Sequence, residues 1–335
     1  MSPRPMLITA SPHLAAGDST PKIMWHVVAS LVPVLAAATY FFGPSALLVV
    51  AAATAGALLT ERGFGPGGTL RDGSAVITGL LLGLTLPAGL PLWMALVGWV
   101  FAIGIGKLVF GGLGQNVFNP ALLGRAFLQA SFPVAMTTFP AAVADGWWRL
   151  RGDNLALPFT SPRPLGAVTG ATPLGRMKFE QEGTPLVDLA LGTTSGSLGE
   201  TSGLLILLCG GYLALRNYLN WRIPASLFAT VAALATLLHR LDPARYPDAP
   251  FMLFSGGLVL GAMYMATDLV TSPVTNRGCW VFGSGVGLLA VVIRLWGGLA
   301  EGVMYSILIM NALVPFLNRW TEPRVFGTVP ARPGA

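Results

Sequence analysis

Charge is scarce in this chain. Asp, Glu, Lys and Arg make up only 10% of its 335 residues, where a soluble domain carries roughly a quarter. A surface so poor in charge cannot face water. Hydrophobic residues are 53% of the chain and mean hydropathy is +0.67, so the chain reads as an all-α polytopic membrane protein. Cysteine is nearly missing as well. Cys209 and Cys279 both fall in apolar stretches and build no disulfide framework. They are also too few for this chain alone to hold a four-thiolate iron–sulfur cluster. His13, His26 and His239 are isolated, which supports neither haem nor a catalytic triad. A net charge of +6 would suit a nucleic-acid partner, but the basic residues are scattered along the edges of apolar runs, where membrane lipid is their counterpart. No nucleic-acid partner is expected. The first 23 residues are polar and lack a basic–apolar–cleavage order, so the first span is expected to direct insertion itself.

Long apolar runs are what the chain has instead. They fall at 24–42, 44–60, 74–87, 91–110, 117–133, 202–219, 222–239, 250–267, 279–296 and 299–317, and a helix of about 20 residues crosses about 30 Å of hydrocarbon. The third run is short and ends in Leu86-Pro87, and the eighth is Gly-rich and ends in Thr267-Asp268. Such interruptions mark broken helices at binding sites. Trp25, Trp93, Trp221, Trp280, Trp296 and Trp320 stand at span edges, as an interfacial belt requires. Ten spans leave both termini on one side. With that side inside, inner segments hold eleven Lys and Arg residues, Lys107 among them, and short outer loops hold three, Arg240, Arg245 and Arg294. The excess predicts cytoplasmic termini and an outward-facing 134–201 loop. The resulting plan is an inner segment 1–23, spans 24–133, the loop 134–201, spans 202–317 and an inner tail 318–335.

The two groups of spans read as copies. Gly79-Leu80-Leu81-Leu82-Gly83 matches Gly257-Leu258-Val259-Leu260-Gly261, and the stretch from Lys107 to Val117 matches that from Arg294 to Val303 with one gap. Five spans per copy is an odd number, so the second copy must be inverted, with its breaks meeting those of the first near the midplane.

Three polar stretches carry possible chemistry. Thr169-Gly170-Ala171-Thr172-Pro173-Leu174 lies in the long loop, a small turn presenting two hydroxyls, with Gly170 giving backbone freedom and Pro173 stiffness. It is either a plain turn or an attachment point, for a Thr hydroxyl flanked by small residues leaves room for a phosphate and a modifying enzyme. Gly111-Gly112-Leu113-Gly114-Gln115-Asn116-Val117-Phe118-Asn119-Pro120-Ala121 reads as a loop entering a helix, with Asn119 as cap and Pro120 in the first turn. Asn116 and Asn119 could also meet the polar edge of a ring. Arg125 follows within the span, as a functional charge, a lipid-snorkelling residue or an interhelical partner. Met265-Ala266-Thr267-Asp268 ends the eighth run, and Asp268 either binds a cation or a ligand hydroxyl or sits at the membrane edge near Arg277. Glu301 and Asn311 read as polar contacts between helices. Trp147-Trp148 reads as a shield for a bound ring or a membrane-edge contact.

These stretches resemble the membrane flavoprotein subunits of the Rnf and sodium-pumping NADH:quinone reductase complexes. The 111–121 stretch is similar to that family's Gly-Gly-x-Gly-x-Asn-x-Phe-Asn-Pro-Ala run. Residues 265–268 are similar to its Met-Ala-Thr-Asp-Pro segment, with Leu269 in place of the proline. Thr169-Gly170-Ala171-Thr172 resembles its [Ser/Thr]-Gly-Ala-Thr run, with Gly166 where an acidic residue often stands. The resemblance extends from Ser11-Pro12-His13 through Ser19-Thr20 and Ile23-Met24 to Asn311 and Pro315, and the short segment before the first span is more like the D subunits of the Rnf branch. It implies FMN joined covalently to Thr172 by a phosphoester, placed by a flavin transferase, and a noncovalent riboflavin among the helices near Asn116, Asn119, Arg125, Thr267 and Asp268. It implies electron transfer between ferredoxin and NAD coupled to Na+ or H+ movement across the bacterial inner membrane. Ferredoxin and NAD would bind partner subunits. Inverted repeats with broken spans also fit a secondary transporter or channel for a small polar solute, which has no need of the Thr172 motif. A purely structural anchor subunit would carry no chromophore.

Overall fold

The computed structural model describes residues 18–65, 72–142, 148–158, 170–200 and 202–323. Every expected apolar run is helical. The first group comprises α1 (Thr20–Phe42), α2 (Pro44–Phe64), α3 (Ser74–Leu84), α4 (Leu92–Trp99, continuing π-helical through Val100–Leu108) and α5 (Pro120–Ser131). Short helices α6 (Pro133–Thr137), α7 (Pro173–Gly175) and α8 (Leu186–Leu191) follow. The second group comprises α9 (Gly203–Leu215), α10 (Arg222–Leu241), α11 (Ala249–Phe254), α12 (Leu258–Leu260, continuing π-helical through Gly261–Met265), α13 (Asn276–Trp296) and α14 (Val303–Thr321). The chain is a multi-pass membrane protein. Helices α1, α2, α10 and α13 are each long and apolar enough to cross a bilayer unbroken, and their outward faces carry exposed Val32, Leu59, Leu237 and Val292.

Local chemistry explains the ends. Asn119, Ser202, Asp248 and Thr275 cap α5, α9, α11 and α13 by accepting backbone N–H groups through their side chains. Proline occupies the first turn of α2, α5 and α11, where its missing N–H costs nothing. The breaks are equally local. Helix α3 stops at Leu84, and Thr85 donates its hydroxyl to Leu82 O at 2.7 Å. The eighth run breaks in its middle, at Ser255–Gly257, rather than at its Thr267-Asp268 end. Gly256 makes that turn at φ +63°, and a Cβ there would lie 2.6 Å from Leu174 and 2.9 Å from Glu301.

Helix α2 packs on α3 and α4, and α10 packs likewise on α11 and α13. The two groups meet where α1 crosses α9 and α5 crosses α14. Close approach depends on small residues: a Cβ on Gly56 would stand 1.7 Å from the buried Trp99 ring.

The described parts of the 134–201 loop pack against the helices. Leu198 and Gly199 are buried and Leu198 N donates to Leu86 O at 3.1 Å, so a single 3₁₀ turn (Leu198–Glu200) plugs the break of α3. Arg151 donates to Phe42 O and Ala141 O, and Asn154 to Ala88 O and Leu90 O, which ties the segment down further. Lys107 and Arg294, counted as loop charges, are 2% and 3% exposed and sit in buried ion pairs. Leaving them out turns eleven against three into ten against two, which keeps the sign of the bias.

Candidate functional site

The sequence-predicted residues divide between two of the cavities among these helices. The larger, about 800 Å³, is lined by Asn116, Asn119, Lys107, Tyr264, Thr267 and Asp268 together with apolar residues of α1, α3 and α9. Glycines at 111, 112 and 114 all take positive φ, which bends the chain sharply into α5. Asn119 then works in two directions. Its Oδ1 accepts from Ala121 N (3.0 Å) and Leu122 N (3.3 Å), and its Nδ2 donates to Met265 O (3.3 Å) at the end of the π-helical segment. Asn119 thus joins the two helical groups. Asn311 strengthens the join, with its amide accepting from Asn119 N at 3.2 Å and donating to Thr271 O at 3.2 Å. Asn116 Nδ2 donates to Phe118 O (3.2 Å), Thr267 Oγ1 donates to Met263 O (2.7 Å), and Asp268 accepts from Val270 N and Thr271 Oγ1. Lys107 Nζ donates to Glu61 Oε1 (2.8 Å) and Ser74 Oγ (2.7 Å). Each named polar group is held by the protein itself.

The second cavity, about 600 Å³, has Thr172, Arg125, Gln129, Glu200, Glu301 and Tyr305 in its wall. Thr172 is half-buried and caps α7, its Oγ1 accepting from Gly175 N at 3.1 Å. That bond uses the oxygen as acceptor, so replacing the hydroxyl proton by a phosphoester leaves the cap in place. Ala171 is exposed beside it. Gly170 is required for space rather than for backbone freedom, because a Cβ there would meet Ser195 Oγ at 2.1 Å. Thr169 lies outside the described residues, as do Trp147 and Gly166; Trp148 is exposed.

At the floor of this cavity two carboxylates converge. A Cβ on Gly257 would stand 3.6 Å from Glu301 Oε1 and 3.7 Å from Glu200 Oε1. Glu301 accepts from Gly257 N at 3.1 Å through both oxygens and from Arg294 at 3.4 Å, and Glu200 accepts from Ser197 Oγ at 2.5 Å. Arg294 also holds Met252 O (2.7 Å) and Ser255 O (2.9 Å), tying α13 to the broken end of α11. On the rim, Lys178 Nζ donates to Gly297 O (2.6 Å) and Leu299 O (2.9 Å), and partial burial lowers its pKa below the usual lysine range. A smaller cavity shared by Arg125, Glu200 and Glu301 runs inward to Leu122 and Met265, the residues that Asn119 binds.

Arg125 is therefore brought together with Thr172 and not with Asn119 and Asp268, although one helix carries both Arg125 and Asn119. Sequence reasoning missed Glu200 and the Glu61–Lys107 pair, and took Glu301 for a plain interhelical contact. The available signal was scarcity itself, since Glu61 and Glu301 stand within or beside apolar runs where a charge is costly.

Comparison with known proteins places this geometry. A model of the NQR2, RnfD, RnfE family matches residues 7–327. The chain belongs to that family. It is 41% identical to the D subunit of the proton-translocating ferredoxin:NAD(+) oxidoreductase complex of Clostridium ljungdahlii, over 96% of each chain. It is 40% identical to the D subunit of the Na(+)-translocating ferredoxin:NAD(+) oxidoreductase complex of Acetobacterium woodii, over 96% of this chain and 95% of that one. To the D subunit of the ion-translocating oxidoreductase complex of Stutzerimonas stutzeri it is 41% identical, over 92% and 93%. The donor sets differ: amides, hydroxyls, the paired Lys107 ammonium and Asp268 line the Asn119 cavity, and a hydroxyl, an arginine and two glutamates line the Thr172 cavity.

Proposed function

We propose that this chain is the D-type membrane subunit of an Rnf complex, in which it relays electrons between ferredoxin- and NAD-binding partner subunits while Na+ or H+ crosses the membrane. The observation that carries the reading is Thr172 on the rim of a cavity floored by Arg125, Glu200 and Glu301, in a chain aligned nearly end to end with the D subunits of such complexes. Thr172 is the attachment point for FMN, placed there by a flavin transferase, and FMN supplies one- and two-electron transfer. The protein contributes tethering, orientation and charge. Gly170 keeps the turn close to Ser195, and the Thr172 oxygen keeps its bond to Gly175 N after esterification. Asn116, Asn119, Thr267 and Asp268 would hold a riboflavin, whose ring and ribityl chain need amide and hydroxyl contacts and no cation.

The five-helix groups are inverted copies, a reading supported by the equivalent packing of α2 with α3 and α4 and of α10 with α11 and α13. Both termini face the cytoplasm and the Thr172 segment faces outward from the inner membrane, as the basic residues favour. The coupling ion stays open, since the names of two similar subunits carry different ions. Those same names favour electron transport over the solute-channel reading.

The test is colour. Fluorescent flavin should stay with the denatured polypeptide on a gel and vanish in Thr172→Ala, with insertion unchanged because a half-buried turn threonine contributes little to folding. Thr169→Ala should weaken the signal at most. Covalent flavin retained in Thr172→Ala would sink the assignment. A cysteine replacing the exposed Glu182 should react with an impermeant thiol reagent outside intact cells. Labelling only after the membrane is opened would reverse the orientation.

A further inference from the structure

Arg125 is 8% exposed, yet it donates no hydrogen bond and forms no ion pair among the described residues. Its Nε is buried with no hydrogen-bond acceptor, which is costly, more so within a membrane protein. Its position is not adjustable. Asn119 caps the start of α5, and Gly124 brings the helix so close to α4 that a Cβ there would lie 2.7 Å from Ala102 Cβ and 2.8 Å from Gly98 O. The next residue therefore enters the cavity from a fixed backbone. The two nearby carboxylates leave it free. Glu301 is occupied by Gly257 N and Arg294, and Glu200 by Ser197. They lend a favourable field without closing a bond.

We propose that Arg125 is the charge partner of the group carried on Thr172, and that it would stabilise the negative charge a flavin gains on reduction. The proposal rests on the Thr172 reading above and deepens it. Arg125 forms no covalent bond and gives up no proton, because an arginine stays charged at any working pH. Electrons arrive from and leave to other redox carriers of the complex. The consequence for the chain is a raised midpoint potential at this one centre, set by a residue of the first helical group acting on a tether in the connecting segment. Thr172 and Arg125 line the same cavity, as does Gln129, one turn further along α5 on the same face.

The experiment is a spectroelectrochemical titration of the purified whole complex, with the Thr172→Ala complex identifying the signal of the tethered flavin. Arg125→Gln should keep the covalent flavin on a denaturing gel and weaken the hold on the reduced form at least tenfold, about 30 mV for a two-electron couple. Arg125→Lys should recover most of that shift, because the charge returns. Gln129→Glu should lower the midpoint in the same direction by giving Arg125 a carboxylate four residues away, and it leaves the arginine in place should Arg125→Gln not accumulate. Unchanged midpoints in both Arg125→Gln and Gln129→Glu, with flavin bound, would overturn the assignment of Arg125 while leaving the Thr172 reading intact. A wild-type complex with no covalent flavin would overturn both.

Discussion

The Asn119 cavity and the Thr172 cavity differ in how their polar groups are satisfied. Around Asn119 the amides, hydroxyls and the Lys107 ammonium are bonded to the protein before any ligand arrives. Beneath Thr172 the carboxylates are hydrogen-bonded but Arg125 is not. A site whose groups are already paired can offer its remaining lone pairs and N–H groups to a neutral polar molecule at little cost. A guanidinium with unmade hydrogen bonds gains most from a ligand that brings acceptors. Both cavities lie along the same helix, α5, with Asn119 at its start and Arg125 beyond its first turn.

The strongest way to break this comparison is to remove one cation from each cavity. Lys107→Met should cost about 3–5 kcal/mol, since it leaves the Glu61 carboxylate buried without its cation. Adding Glu61→Gln should recover most of the loss. Arg125→Met should cost less than Lys107→Met, because Arg125 closes no hydrogen bond to a carboxylate whereas Lys107 donates to Glu61. Thermal unfolding in detergent, followed by a thiol dye at the buried Cys279, reads all three. Equal losses from Lys107→Met and Arg125→Met would erase the distinction.

Asn119→Ala should have an intermediate effect. Losing the cap of α5 costs about 0.5–2 kcal/mol, and the bond to Met265 O goes with it. Extractable riboflavin should fall while covalent FMN is unchanged, the opposite of Thr172→Ala. Flavin extracted into acid and separated by chromatography measures the first, and gel fluorescence the second. Parallel loss of both flavins would mean that the cavities act as one.

Lys178→Met should give the smallest effect, about 1 kcal/mol for each hydrogen bond to Gly297 O and Leu299 O. Because Leu299 and Ala300 line the Thr172 cavity, iodide should quench the covalent flavin faster in this variant and leave the riboflavin signal alone. An unchanged quenching rate would remove the rim from the comparison.

Much of this was legible in the residues alone. Apolar runs mark every long helix, because a backbone in lipid must satisfy its own hydrogen bonds. Asn119-Pro120 announces the start of α5, because a cap needs only the residues beside it. That the eighth run is broken was legible from its glycines, but not where, because Gly256 and Gly257 answer to Leu174 and Glu301, residues distant in sequence. Lys107 and Arg294 were sorted with loop charges for the same reason: their partners lie on other elements, Glu61 and Ser74 for one, and Met252, Ser255 and Glu301 for the other.

The sequence by itself determined that the chain enters a membrane, roughly where its helices run, and that Asn119 caps a helix. These are local properties, set by hydropathy, capping and the stereochemistry of glycine and proline. Only the tertiary structure decided that Thr172 shares a cavity with Arg125, that Glu200 meets Glu301, and that Lys107 and Arg294 are buried. In an interior of low dielectric the few charges are held by whichever groups face them across the packed helices, and that facing is a property of the whole fold.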